Sequence, residues 1–266
     1  MLTNEERVKI INALRERMAK ECKCRNNDQG LKYDQRPCPC DSSFRRKSIA
    51  IAAGVPSEYV EYTLKSYPGN EELKKDKRVK QVKTWMNKYL KNMDKNLEHN
   101  VGLMIVGPYG AGKTALLSLC LRKALSIVFP SGGIYSTASD MILAAGAGRY
   151  DKREVVYSLN DFRNKQVAFI DDLGKEFIIG STGIITDRSK FGMILDDILR
   201  VRAAKGLITF MSTNYSLDQI GEEYGKSCLE AVKQCMKVIA FKKDYPNLRD
   251  VSFNSAEARA RRIYGE

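Results

Sequence analysis

The chain has 266 residues, 43% hydrophobic and 29% charged, with 45 Lys/Arg against 32 Asp/Glu and a net charge of +13. That length suits one large domain, or a domain plus a small module, around a substantial core. No apolar run approaches the ~18 residues of a membrane span, and the N-terminus lacks a basic start followed by an apolar segment, so no membrane or secretory segment is expected and a cytoplasmic location follows by default.

Residues 3–20 read as a helix. Val8, Ile11, Leu14, Arg15 and Met18 follow helical spacing, and Thr3 with Glu6 fits a capping box. The stripe is narrow and suits either a helix that docks on a partner or a plain solvated surface helix. The first 100 residues carry 22 Lys/Arg and 14 Asp/Glu, a balance of +8, and the remaining 166 carry 23 and 18, or +5. Such an excess favours polyanions, nucleic acid above all, against the plainer reading of a basic protein without such a partner.

Two close cysteine pairs follow, Cys22-Lys23-Cys24 and Cys38-Pro39-Cys40, around a polar loop. Four thiolates in a segment too polar to fold alone suit a tetrahedral Zn²⁺, which would supply the folding energy. The spacing is C-x-C where C-x-x-C is usual, and free or redox thiols are the alternative. Cys120, Cys228 and Cys235 are scattered in predicted helices and read as packing residues.

Residues 42–64 hold Arg45-Arg46-Lys47, an apolar patch at Ile49–Ala52, Gly54-Val55-Pro56 and a helical turn at Glu58–Tyr62. Residues 68–78 are polar and read as a linker. Val79, Val82, Trp85, Met86, Tyr89, Leu90 and Met93 then make a helical stripe with lysines opposite.

The next stretch organises the rest. Gly102–Val106 is a short apolar run. It is followed by Gly107, Pro108, Tyr109, Gly110, Ala111, Gly112, Lys113 and Thr114, which fit G-x-x-x-x-G-K-[ST], and then by an apolar helix. In that context the loop's backbone N–H groups and the helix N-terminus hold a polyphosphate, Lys113 reaches the β- and γ-phosphates, and the Thr114 hydroxyl ligates Mg²⁺. A glycine turn before a core helix is the plainer alternative.

From residue 102 strands alternate with helices, which implies a parallel sheet covered on both faces. Strands are expected at 102–106, 133–137, 166–170, 207–212 and 237–241, and helices near 112–128, 138–145, 189–204 and 216–235. Residues 146–165 read as a loop and short helix with a basic tip, where Arg149, Lys152 and Arg153 surround Tyr150. Bases stacking on Tyr150 while the cations take phosphates would suit single-stranded DNA. Residues 177–187 are rich in Gly, Ser and Thr, and the tail 251–266 is basic.

Val167–Ile170 runs into Asp171 and Asp172. Such a strand is expected beside the first, with Asp171 in the Mg²⁺ shell and Asp172 orienting or deprotonating the attacking water. Ser212-Thr213-Asn214 ends another apolar strand, where Asn214 would position the water or meet the γ-phosphate. Ser-Thr-Asn is also an ordinary helix cap.

Together these residues resemble the AAA+ ATPases of the DnaC/DnaI helicase-loader type and the related IstB transposition helpers. The likeness runs from Cys38-Pro39-Cys40 and Gly54-Val55-Pro56 through Gly107–Thr114 and Asp171-Asp172-Leu173-Gly174 to Arg202 and Ser212-Thr213-Asn214. It implies a P-loop AAA+ core, homo-oligomerisation through the ATP site, single-stranded DNA binding, and an N-terminal zinc module that docks on a replicative helicase. It makes Asn214 the sensor-1 residue and places Arg249 near the phosphates. The implied division is a partner-docking module at 1–67, a linker at 68–78, an ATPase domain at 79–250 and a basic tail at 251–266. One departure stands out: residues 222–240 hold Lys226, Lys233 and Lys237 but no arginine, where the family places one that reaches a neighbour's γ-phosphate. A lysine lacks the planar fork, so hydrolysis would be weak and ATP would act mainly as an assembly switch. The implied function is an ATP-dependent replication accessory protein. A transposition helper that selects DNA targets, or an ATP-bound DNA adaptor without useful turnover, would share these motifs.

Overall fold

The computed structural model describes residues 4–21, 39–68, 72–128, 132–146, 157–175 and 188–248. Cys22, Cys24, Cys38, Arg149, Tyr150, Lys152, Arg153, Arg249, the loop 177–187 and the tail 251–266 lie outside them, as does the side chain of Cys40.

Among the described residues five strands form one sheet: β1 (Gly102–Val106), β2 (Gly133–Thr137), β3 (Val167–Leu173), β4 (Ile208–Thr213) and β5 (Met236–Ala240). All pairings are parallel and the order is β2-β3-β4-β1-β5. The five expected strands are present, with bounds moved by a few residues at most. Their order corrects one expectation. The strand of Asp171 and Asp172 does not lie beside β1, because β4 is inserted between them. Sequential crossovers set strand type but not rank, so Ser212, Thr213 and Asn214 come to stand between the glycine loop and the two carboxylates.

Period-two alternation sorts the strand residues onto two cores. Leu103, Ile105, Val167, Phe169, Ile208 and Phe210 face one side. There they meet α2 (Pro39–Ala52), α3 (Ser57–Val60), α4 (Lys77–Lys91), α5 (Met93–Glu98) and α6 (Lys113–Val128). Met104, Val106, Ala168, Ile170 and Met211 face the other. That side is covered by α7 (Ala138–Gly146), α8 (Leu159–Asn164), α9 (Arg188–Ala204), α10 (Leu217–Tyr224) and α11 (Lys226–Cys235). The first helix, α1 (Asn4–Glu21), packs on α2.

The helices expected before and after the glycine loop are present. The apolar patch at 49–52 proves to be the end of α2, whose Ala50 and Ile51 share a core with Leu116 and Leu117 of α6. Arg122 of α6 donates to the carbonyls of Tyr59 (2.9 Å) and Tyr62 (2.5 Å), tying the α3 turn to α6. The single helix expected over 216–235 is two. Gly225 lies between α10 and α11 with φ +93° and ψ 151°, which no helix accommodates and which only glycine adopts without strain. Among the described residues no helix is long and apolar enough to cross a membrane.

Among the described residues Arg202 is the largest fully buried side chain. From the end of α9 it donates to the carbonyls of Phe162 (2.7 Å), Lys165 (2.8 Å) and Ile208 (2.6 Å) and to the Thr209 hydroxyl (2.8 Å). It joins α8, the turn into β3 and the start of β4, at the end of the strands opposite the glycine loop. Burial pushes its pKa down to about 9, which leaves it a cation at neutral pH.

Candidate functional site

The glycine loop leaves β1 and enters α6 at Lys113, so the first N–H groups of a 16-residue helix open onto it. Gly110 and Gly112 take φ +74° and +77°. A Cβ on Gly110 would press on the end of the Asn247 side chain, and one on Gly112 would meet the Tyr67 ring at 2.8 Å, so the left-handed backbone calls for glycine at both positions and the Tyr67 ring leaves no room at Gly112.

The loop is braced from behind by two segments that the sequence analysis did not connect to it. The Tyr67 hydroxyl donates to the Ala111 carbonyl (3.2 Å) and pairs with the Tyr245 hydroxyl (2.6 Å). Tyr245 stacks on Phe241, with ring centroids 4.5 Å apart. The Leu248 N–H donates to the Gly110 carbonyl at 2.9 Å. Arg78 adds an ion pair to Asp244 at 2.7 Å and pulls Asp76, the N-cap of α4, down to about 2.

Lys113 is buried to 6% exposure. Its ammonium donates to the carbonyls of Gly107 and Pro108, both at 2.9 Å, and to Asn214 Oδ1 at 2.6 Å. Lys113 and Asn214 therefore meet, 101 residues apart in sequence. The Thr114 hydroxyl lies 3.2 Å from Asp171 Oδ1, joining the loop to β3.

Asp171 is buried and accepts three hydroxyl hydrogen bonds: from Thr114, from Tyr135 on Oδ2 (2.8 Å) and from Ser212 on Oδ1. Burial pushes its pKa up and the neighbouring Asp172 adds to this, while the Ser212, Tyr135 and Thr114 hydroxyls oppose it. Tyr135 and Ser212 hold the carboxylate in place, a role the sequence analysis did not assign.

The two aspartates do not alternate as neighbours on a regular strand would. Ile170 pairs with Met211 but Leu173 pairs with Thr213, so β3 carries one extra residue there. Asp172 takes that place at φ +57°, a conformation rare outside glycine. Its N–H donates to Ser212 Oγ at 3.0 Å, so β4 supplies the bond that stabilises the bulge. Its carboxylate stays about one-third exposed and pairs with Lys175 at 3.0 Å. Tyr109, on the outer lip of the loop, is 61% exposed and lies under the Lys175 ammonium, 5.1 Å from the ring centroid.

The structure thus brings Gly107–Thr114, Asp171, Asp172 and Asn214 to one end of the sheet. A hydroxyl beside a fixed carboxylate is an oxygen donor pair that fits Mg²⁺. Among the described residues no group of three or more His, Cys, Asp or Glu is placed to hold a metal.

No protein-family model and no curated protein matches this sequence. Solved structures do share its fold. DnaI is similar over 74% of this chain and 95% of its own, at 17% identity and TM-score 0.52. The DnaC helicase loader is similar over 70% of this chain and 100% of its own, at 20% identity and TM-score 0.53. The chain therefore has the P-loop AAA+ fold that DnaI and the DnaC helicase loader also have.

Proposed function

We propose that this chain is an ATP-dependent accessory protein of DNA replication, which binds single-stranded DNA, loads a replicative helicase and hydrolyses ATP slowly. The observation that carries the ATP reading is the convergence of three distant segments at one point: Lys113 on Asn214 at 2.6 Å and Thr114 on Asp171 at 3.2 Å. Lys113 and the loop N–H groups take the β- and γ-phosphate oxygens. Asp172 accepts the proton of the attacking water, and Asn214 orients it. Thr114 and Asp171 would hold Mg²⁺, which neutralises phosphate charge. Arg249 would join the phosphates, and homo-oligomers would assemble through this site.

Nucleic-acid binding has support on α4. The helix holds six Lys/Arg and no Asp/Glu. Val79, Met86 and Tyr89 bury one side of it. On the other, Lys77, Lys80, Lys88 and Lys91 are exposed along one face, a ridge of about 21 Å. Such a rigid row of cations fits a phosphate backbone, alongside the contacts proposed for Arg149, Tyr150, Lys152 and Arg153. The test is single-stranded DNA binding by the full chain across a salt series. Replacing all four ridge lysines with alanine is expected to flatten the log–log salt slope by about 2–3 units, since each phosphate contact contributes about 0.7. Unchanged slope and affinity would remove α4 from the DNA surface. Capture of a replicative helicase by the full chain, with no capture of a transposase, separates the loader from the transposition helper.

The same proposal places Zn²⁺ on Cys22, Cys24, Cys38 and Cys40, in a helicase-docking module. It is supported by the paired thiols in a polar segment. Elemental analysis of chelator-free protein is expected to find about one zinc per chain; protein that carries none rules the site out.

A further inference from the structure

Phosphoryl transfer needs cations around the transferred oxygens, and in P-loop enzymes one often comes from outside the loop, from the same chain or from a neighbour. The two helices after β4 offer little here. Among their described residues the bases are Lys226, which is exposed, and Lys233, which is paired with Glu230 at 2.9 Å. Lys175 stands much closer to the chemistry. Its backbone N–H donates to the Asp172 carbonyl at 3.1 Å, and its carbonyl accepts from the Ser139 hydroxyl at 3.2 Å, so the turn that carries it is fixed from both sides. Its ammonium lies between Asp172 Oδ2 and the ring of Tyr109. It therefore crosses from the end of β3 to the outer lip of the glycine loop. Lys113 holds the inner side of the same loop through Gly107, Pro108 and Asn214.

We propose that Lys175 is a γ-phosphate cation supplied from within the same chain. A phosphoryl group lying between Lys113, Asn214 and Asp172 has the Lys175 ammonium on its remaining side. The exchange of partners costs little. The Asp172–Lys175 pair is about one-third exposed at both ends, so its coupling is weak, and the lysine stem is flexible enough to pass from a carboxylate to a phosphate oxygen. The Tyr109 face keeps the ammonium near the lip while it does so. In the reaction the water oxygen bonds to the γ-phosphorus and the bond to the bridging oxygen breaks. That electron pair leaves with ADP, and the water proton passes to Asp172. Lys175 keeps its protons and balances charge on the γ-oxygens. Leaving Asp172 for the phosphate also frees the carboxylate to accept the proton, so one movement prepares both groups.

The inference rests on the ATP reading, and the experiment separates the two. The full chain is titrated with ADP and with a non-hydrolysable ATP analogue, and kcat and KM are measured over a range of protein concentrations. Lys175→Ala is expected to lower kcat at least about tenfold at every protein concentration, since outer cations of this kind are worth ~10³ or more when they are arginines. It should weaken the ATP analogue about threefold to tenfold, as the loss of one charge-assisted contact, and leave ADP affinity unchanged. Lys175→Arg should retain most of both. Asp172→Asn serves as the comparator that loses turnover while keeping analogue affinity. An equal loss of ADP and analogue binding would make Lys175 a structural residue and overturn the proposal. So would unchanged or faster turnover in Lys175→Ala, which would mark the lysine as a restraint on Asp172. Wild-type protein that binds neither nucleotide would overturn the ATP reading itself.

Discussion

Lys113→Ala is expected to abolish ATP binding at concentrations that saturate the wild type, a loss of at least about 100-fold, or ~2.7 kcal/mol. Two effects combine. The buried ammonium is the cation aimed at the β- and γ-phosphates, and charge-assisted hydrogen bonds of this kind are worth about 1.5–3 kcal/mol each. The same ammonium also joins Gly107, Pro108 and Asn214, so its removal releases the loop from the end of β4. The fold should be little affected, because Tyr67 and Leu248 brace the loop independently at Ala111 and Gly110. Equilibrium titration with ATP, alongside a urea unfolding midpoint, checks both parts. ATP affinity within about threefold of wild type would mean that the loop holds phosphate through its backbone alone.

The second large effect concerns stability. Arg202→Met removes the donor from three carbonyls, two of them in fully buried bonds, and from one buried hydroxyl, while keeping most of the side-chain volume. Each acceptor left without a partner costs about 1–3 kcal/mol, and partial rearrangement recovers some of it, so a net loss of ~3–5 kcal/mol is expected. The reading is a lowered urea midpoint. Arg202→Lys should fall between the two, since a point charge reaches fewer of the four acceptors than a planar fork does. A loss below about 1 kcal/mol for Arg202→Met would show that water or the backbone replaces those bonds.

The parts of the site that the sequence made legible are those written in consecutive residues. Gly107–Thr114 is a local pattern, and its backbone conformation follows from Gly110 and Gly112. Asp171 and Asp172 stand out as carboxylates at the end of an apolar strand. The strands themselves are apolar runs between turns, and their bounds follow closely. Strand rank was not legible, because a parallel crossover of given length reaches either neighbouring place in a sheet. The insertion of β4 between β1 and β3 is what turns Ser212 from a helix-cap candidate into the hydroxyl on Asp171. The bulge at Asp172 was hidden for a related reason, since an extra residue appears only when two strands are set in register. The helix break at Gly225 shows a different limit: the apolar spacing of 216–235 continues across it, so periodicity masked what one glycine decides. Tyr67 and Tyr245 lie 178 residues apart, and nothing local to either marks a partner on the phosphate loop.

That brace has a consequence for communication between sites. The segment 241–248 is the path by which the chain leaves the sheet, and Tyr67 lies on the path that runs from α3 towards α4. Both touch the backbone that would cradle nucleotide. Linkage then works in both directions: a partner that pulls on either path and alters the brace changes nucleotide affinity by some factor, and nucleotide must change that partner's affinity by the same factor. The hydroxyl pair of Tyr67 and Tyr245 is a place where such reciprocity can be measured without mutating any residue that contacts a ligand.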